Sequence, residues 1–389
     1  MNHWNSQRYL KEGRKAGKDA QILGRAVKTA ANTHAVSPKS PPIFTLRHLS
    51  HLVDVPYDFL RAVASRGGLE QETYYRVFSL KKRNVGHQAT RTRTISAPHP
   101  LLLKAQRWIH DNILKAGTFH EASCAYGPGS KIAKTAELHC DARWMVKLDI
   151  KNFFESITEQ KVYKVFRSLG YQPLVAFELA RICTRTRRGS LRRAHPRTHR
   201  IANYYDKRLG HLPQGAPTSP LLANLVVFGL DVALSKLAMN FDMVYTRYAD
   251  DITFSTSTAD WSRANAVELL RQGHEILRSH GFRPNHAKAH IVPPGGRKIV
   301  LGLAVGDSTP LLTRDFKNKL RAHIYYLYRF QDNGILPHQK LGFDSILGLQ
   351  RHVFGLAYFA KGIEREWAES RLLELKALPW PTEHGISFD

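Results

Sequence analysis

Residues 244–255 run Val-Tyr-Thr-Arg-Tyr-Ala-Asp-Asp-Ile-Thr-Phe-Ser. Val244 and Tyr245 lead in, and Ile252 and Phe254 follow at alternate positions, which reads as strand, tight turn, strand. Adjacent residues on a strand point to opposite faces, but a turn relaxes that rule. Asp250 and Asp251 can therefore both approach one point in space. Unpaired carboxylates beside apolar strands are costly, so the pair points to a bound cation. The competing reading is a solvated Asp-Asp turn, because Asp favours turns.

Two further stretches bear on that choice. Met145–Asp149 is a short apolar strand ending in one carboxylate, and it runs through Ile150 into Lys151-Asn152-Phe153-Phe154-Glu155, a turn entering a helix. Leu212-Pro213-Gln214-Gly215-Ala216-Pro217-Thr218-Ser219-Pro220 is a Pro- and Gly-dense loop ahead of an apolar run. In this order, the strand-end aspartate, the QGxxxSP loop and the YADD hairpin resemble the palm of a reverse transcriptase. The resemblance implies an α+β fold of the right-hand polymerase kind, with fingers, an RRM-like antiparallel-sheet palm and a helical thumb. It implies Asp149, Asp250 and Asp251 as catalytic residues. It also implies two Mg2+ ions, ~3.5–4 Å apart, held by these acids and the Ile150 backbone.

Composition agrees with a polyanionic partner. The 389 residues carry 58 Lys and Arg against 32 Asp and Glu, a net charge of +26 spread along the chain. Nucleic acid is the usual ligand of such a surface. An anionic membrane is the rival, but no apolar run is long enough to span a bilayer. The start, Met1-Asn2-His3-Trp4-Asn5, lacks an apolar signal core, and a cytoplasmic protein is expected. Cys124, Cys140 and Cys183 show no CxxC spacing and read as small core residues.

Taken in order, residues 1–44 form a basic N-terminal extension ending in a Pro-rich linker, with a helix expected near Gln21–Ala31. It is either a solvated arm or an extra contact to RNA or a protein. Residues 45–140 are expected to hold a helical lead-in and the fingers. Tyr74–Leu80 and Arg91–Pro98 read as a basic hairpin. The resemblance assigns the incoming triphosphate to Lys81 (or Lys82) and Arg93, a solvated hairpin being the alternative. Ala136 and His139 fit the NAxxH motif of retron enzymes, with Thr135 where Asn is usual. His139 is expected to contact nucleic acid, or else to be a surface or core histidine.

Residues 141–305 are expected to form the palm. Phe153 and Phe154 fall by the nucleotide, and Phe154 occupies the position of an aromatic gate against the 2′-hydroxyl. Both rings could equally be core. Gln214 and Gly215 belong to the nucleotide-binding loop, and Lys288 of the GFxxNxxK-like stretch 281–288 is expected near primer or nucleotide phosphates. Val300–Val305 resembles the primer-grip strand, with Leu301 in place of the usual Thr. Residues 185–208 hold eight arginines and one lysine, Lys207, with a single acid, Asp206. This excursion, including Arg187, Arg188, Arg192 and Arg193, either tracks nucleic-acid phosphates or is a solvated loop. Residues 306–389 read as a helical thumb whose basic residues, such as Arg321, face the ligand. Within reverse transcriptases the phrases above are most similar to the retron type, the alternatives being another bacterial defence or group II intron-like reverse transcriptase, or a non-catalytic RNA-binding scaffold. That resemblance implies dNTP substrates, a structured noncoding RNA as template and primer, its DNA product, and an effector protein in anti-phage defence.

Overall fold

The computed structural model describes residues 4–66, 74–81, 92–127, 129–186, 209–306, 308–329, 339, 341–378 and 380. Helix α1 (Ser6–Lys15) starts on Asn5, whose side chain accepts from the Arg8 N–H, and α2 (Ala20–Val36) starts on Asp19 in the same way. Such side-chain acceptors satisfy backbone donors that no helical carbonyl reaches. These residues do not form a loose arm. Leu23, Ala30 and Thr33 are buried, and Tyr171 donates to the Pro41 carbonyl at 3.0 Å. The Pro-rich stretch is also packed down rather than a linker, since Ser37, Ser40 and Ile43 are buried and the two hydroxyls lie 2.6 Å apart.

The lead-in is α3 (Leu46–Val53), capped by Thr45, and α4 (Tyr57–Ser65) after Pro56. The fingers hairpin pairs β1 (Tyr75–Lys81) with β2 (Thr92–Pro98), Lys81 opposite Thr92. Pro100 sits in the first turn of α5 (Pro100–Asn112), where its missing N–H is harmless. A short helix, α6 (Ile132–Glu137), precedes the palm.

The palm sheet begins with β3 (Trp144–Asp149). The chain then passes through α7 (Phe153–Ser156), α8 (Glu159–Ser168), α9 (Pro173–Cys183), α10 (Ser219–Val226) and α11 (Phe228–Asn240). Residues 169–172 separate α8 from α9. β4 (Val244–Tyr248) and β5 (Asp251–Thr256) follow, then α12 (Arg263–Ser279) and β6 (His290–Val292). The sheet order is β4-β5-β3-β6, and all its pairs are antiparallel. Helix α12 lies directly on β3: a Cβ at Gly273 would sit 2.8 Å from Leu148 Cδ2, so that side chain would have to shift to admit one. One large core runs from the lead-in helices through the sheet.

The expected primer-grip strand is instead a hairpin, β7 (Ile299–Val300) and β8 (Leu303–Ala304), with β9 (Leu311–Leu312) beside it. Leu301 and Gly302 both have positive φ, 51° and 86°, which makes a two-residue turn. The thumb consists of α13 (Arg314–Arg329), α14 (Ile346–Lys361) and α15 (Arg365–Lys376), around its own core of Leu320, Ile324, Leu349, Val353 and Leu375. Among the described residues no single helix is long and apolar enough to cross a membrane.

Candidate active site

The two strands that carry the acids converge at one end of the palm sheet. Asp149 ends β3 and pairs directly with Asp251, the first residue of β5. Opposed residues share a face, with Cβ atoms about 5 Å apart. Asp250 occupies the turn between β4 and β5, and its carbonyl accepts from the Ile150 N–H at 3.2 Å. Ala249, before it, is buried with φ +56°. For a residue with a Cβ this left-handed conformation costs about 1–2 kcal/mol. The strain is stored at the tip that aims Asp250.

The site is short of positive charge. Burial, and next the Asp149 carboxylate, raise the pKa of Asp250 above the ordinary carboxylate value. Two lysines and one amide donor partly answer this. Lys288 Nζ lies 2.5 Å from Asp149 Oδ2, Asn285 Nδ2 lies 2.6 Å from Oδ1, and Lys147 Nζ lies 3.2 Å from Asp251 Oδ2. Lys288 is half exposed, so it can swing off Asp149. Carboxylate oxygens are the donors a hard divalent cation takes, and Asp250 is held at a raised pKa by burial and the neighbouring Asp149. Among the described residues, however, no three such side chains are gathered closely enough to hold one ion as they stand. Ile150 could contribute only its carbonyl, because its side chain is core. The bridge to Pro284 uses the Lys151 N–H and the Asp149 carbonyl, so the Ile150 carbonyl stands outside that ladder.

The residues expected around a nucleotide divide. Arg93 is exposed on β2, and its charge acts on Tyr126, a neighbour of the Asp250 turn. Lys81 ends β1 beside it, and its side chain lies outside the described residues. The Gln214 carbonyl accepts from the Ser96 N–H at 2.7 Å, which ties the loop to the fingers. Gly215 has φ +114°, and a Cβ there would meet Ile95 Cγ2 and the Ser96 carbonyl, each at 3.0 Å. Gly215→Ala is therefore expected to destabilise this junction by about 1–3 kcal/mol, read as a lower melting temperature. Phe153 does not face a nucleotide: it is buried in the main core, against Phe282 at 6.1 Å. This corrects its assignment, because the turn after β3 points the first ring inward. Phe154 is only partly buried.

His139 is also corrected. It is fully buried, so it makes no direct contact with nucleic acid. One ring nitrogen lies 2.7 Å from Ser255 Oγ and the other 2.7 Å from Thr246 Oγ1, tying the turn after α6 to β4 and β5. Burial, and next Lys147, lower its pKa from 6.5 to about 4. The folded state thus holds the ring neutral. This stabilisation is whole above pH 6.5 and is lost as pH falls towards 4, by about 3 kcal/mol at 1.36 kcal/mol per unit. Denaturant midpoints across that range, absent the same drop in His139→Gln, check it.

Arg187, Arg188, Arg192 and Arg193 lie outside the described residues. Arg321 is exposed on α13, 5.8 Å over the Trp367 ring. Sequence reasoning assigned no role to Asn285, Lys147 or Arg247. Asn285 stood inside a motif already noted, whereas nothing local marks Lys147 as the partner of Asp251.

Comparison with known proteins agrees with this geometry. The reverse transcriptase (RNA-dependent DNA polymerase) family profile matches residues 80–305. The chain is 31% identical over 304 residues to the retron Ec86 reverse transcriptase of Escherichia coli, covering 78% of this chain and 85% of that one. It is 32% identical over 277 residues to the retron Mx162 reverse transcriptase of Myxococcus xanthus, covering 68% of this chain and 55% of that one. For the Mx65 enzyme of the same organism the figures are 30% over 308 residues, 77% and 64%. The match therefore spans little more than half of the Mx162 protein. With the acid cluster at the tip of an antiparallel palm sheet, these matches place the chain in the reverse transcriptase family, among its retron-type members.

Proposed function

We propose that this protein is an RNA-directed DNA polymerase that copies a structured noncoding RNA, serving as template and primer, into a branched RNA–DNA hybrid (msDNA). The observation that supports the polymerase reading is that Asp149, Asp250 and Asp251 meet at one end of the palm sheet, where burial and the Asp149 carboxylate raise the pKa of Asp250. Asp149 and Asp250, with Asp251 beside them, would hold Mg2+. When bound, the ions lower the pKa of the primer hydroxyl and neutralise the triphosphate. The chain's own residues do the rest. Arg93 and Lys81 reach the triphosphate of the incoming dNTP from the fingers. Phe154 contacts the sugar where a 2′-hydroxyl would sit. Lys288, released from Asp149, offers its ammonium to phosphate oxygens.

The retron-specific part rests on the names of the relatives and on the net charge of +26. Anti-phage defence with an effector protein belongs to the same reading. The test is synthesis by purified protein with dNTPs, Mg2+ and the noncoding RNA encoded beside its gene. A DNA product joined to that RNA supports the proposal; DNA made only on added primers limits it to polymerisation.

RNA recognition can be tested separately. Replacing Arg187, Arg188, Arg192 and Arg193 by Ala is expected to weaken binding to the structured RNA. The log–log salt slope should become shallower by about 0.7–0.9 per lost phosphate contact. A short primed homopolymer should suffer less. Unchanged affinity and slope would make the stretch a solvated loop.

A further inference from the structure

The catalytic hairpin is clamped from behind by a charge the sequence hides inside its own motif. Arg247 and Asp231 are both fully buried. The guanidinium has five N–H donors, and five acceptors meet them. Nε lies 2.7 Å from Asp231 Oδ1, and Nη2 lies 2.7 Å from Asp231 Oδ2. Nη2 also reaches Ser123 Oγ at 2.9 Å, while Nη1 reaches Asn224 Oδ1 at 3.2 Å and the Ala249 carbonyl at 3.1 Å. Tyr245 adds its hydroxyl to Asp231 Oδ1 at 2.7 Å. One side chain thus joins α10, α11 and the loop before α6 to the backbone of the strained turn residue.

A buried ion pair is a poor device for stability alone, because desolvation offsets the attraction and apolar residues of like volume often serve as well. A planar fork with fixed donor directions is, however, a good device for orientation. We propose that the Arg247–Asp231 pair is a positioning element for polymerisation: through the Ala249 carbonyl it holds the left-handed turn, and so aims Asp250 at Asp149. Arg247 touches no substrate; it acts through the backbone next to the carboxylate. The proposal rests on the polymerase reading. A wild-type enzyme that makes no DNA would defeat that reading, whereas the comparison of variants below addresses the clamp.

The test replaces the pair by apolar residues of similar volume, Arg247→Met with Asp231→Leu, and separately makes Arg247→Lys, which keeps the charge but offers three donors. Folding is read by thermal melting and by RNA retention. Mn2+ binding to the free protein, followed by loss of the free-ion EPR signal, and kcat and KM for dNTP are then measured. The double variant is expected to fold and retain RNA. Its Mn2+ half-saturation should rise about 10–100-fold. Its kcat should fall about a hundredfold while KM stays within about threefold. Arg247→Lys should shift the same quantities in the same direction, and less so when combined with Ala249→Gly, because glycine adopts the left-handed turn without a clamp. A folded double variant with wild-type Mn2+ binding and kcat would overturn the proposal. If the double variant does not fold, Arg247→Lys decides by the same readouts. Wild-type values there, or loss of folding there as well, would make the pair a folding element and overturn the positioning role.

Discussion

Asp250→Asn protein is expected to lose DNA synthesis by at least about a thousandfold, near 4 kcal/mol of barrier, while its fold and RNA binding survive. The two halves of this expectation come from the same electrostatics. In the wild-type protein, burial and the Asp149 carboxylate oppose ionisation of Asp250. A group whose folded pKa is raised contributes stability while protonated and loses it as pH rises through that pKa. Asn removes this penalty, so metal-free Asp250→Asn protein should melt at or above the wild-type temperature at neutral pH. The same charge makes Asp250 a cation ligand, which Asn replaces with a neutral oxygen. Parallel measurement of dNTP incorporation, melting temperature and RNA retention checks this. Substantial synthesis with Mg2+ would sink the assignment of Asp250, and a collapsed melt would move it to a folding role.

Phe154→Ala is expected to raise the use of ribonucleotides relative to dNTPs by about 10–200-fold, the range that one steric contact supplies. Phe153 and Phe154 open α7 as neighbours, their rings 5.4 Å apart, yet only Phe153 is enclosed by the core. Phe154 keeps a partly open face. A ring held by its neighbour on one side can exclude a 2′-hydroxyl on the other by contact alone. Single-nucleotide incorporation with matched dNTP and rNTP pairs reads the ratio. Phe153→Ala, by contrast, should leave a cavity and cost about 3–5 kcal/mol of stability. If Phe154→Ala lowered stability by a similar amount with the ratio unchanged, the ring would be core and the gate elsewhere.

The pattern of the sequence reached the hairpin, the strand-end aspartate and most helices, because those are local properties. Alternation around Asp250 predicts β4 and β5, and register then brings Asp149 opposite Asp251. Thr45, Pro100 and Pro173 begin helices for reasons contained within one turn of chain. Local pattern also misled where a turn interrupts an apolar run. Val300–Val305 reads as one strand, but positive φ at Leu301 and Gly302 folds it back.

By itself, then, the sequence determined the elements, the order of the acids and the family they indicate, since period, capping and motif spacing are written along the chain. Only the tertiary structure decided which side chains face the site. His139 is enclosed by partners 116 and 107 residues away, and its burial has no local signal. Residues 1–44 look like a basic arm until Tyr171, more than a hundred residues on, bonds the Pro41 carbonyl. Arg247 reads as one more cation of a basic chain. Burial depends on what packs from elsewhere, and it turns that cation into the fork that holds the catalytic turn.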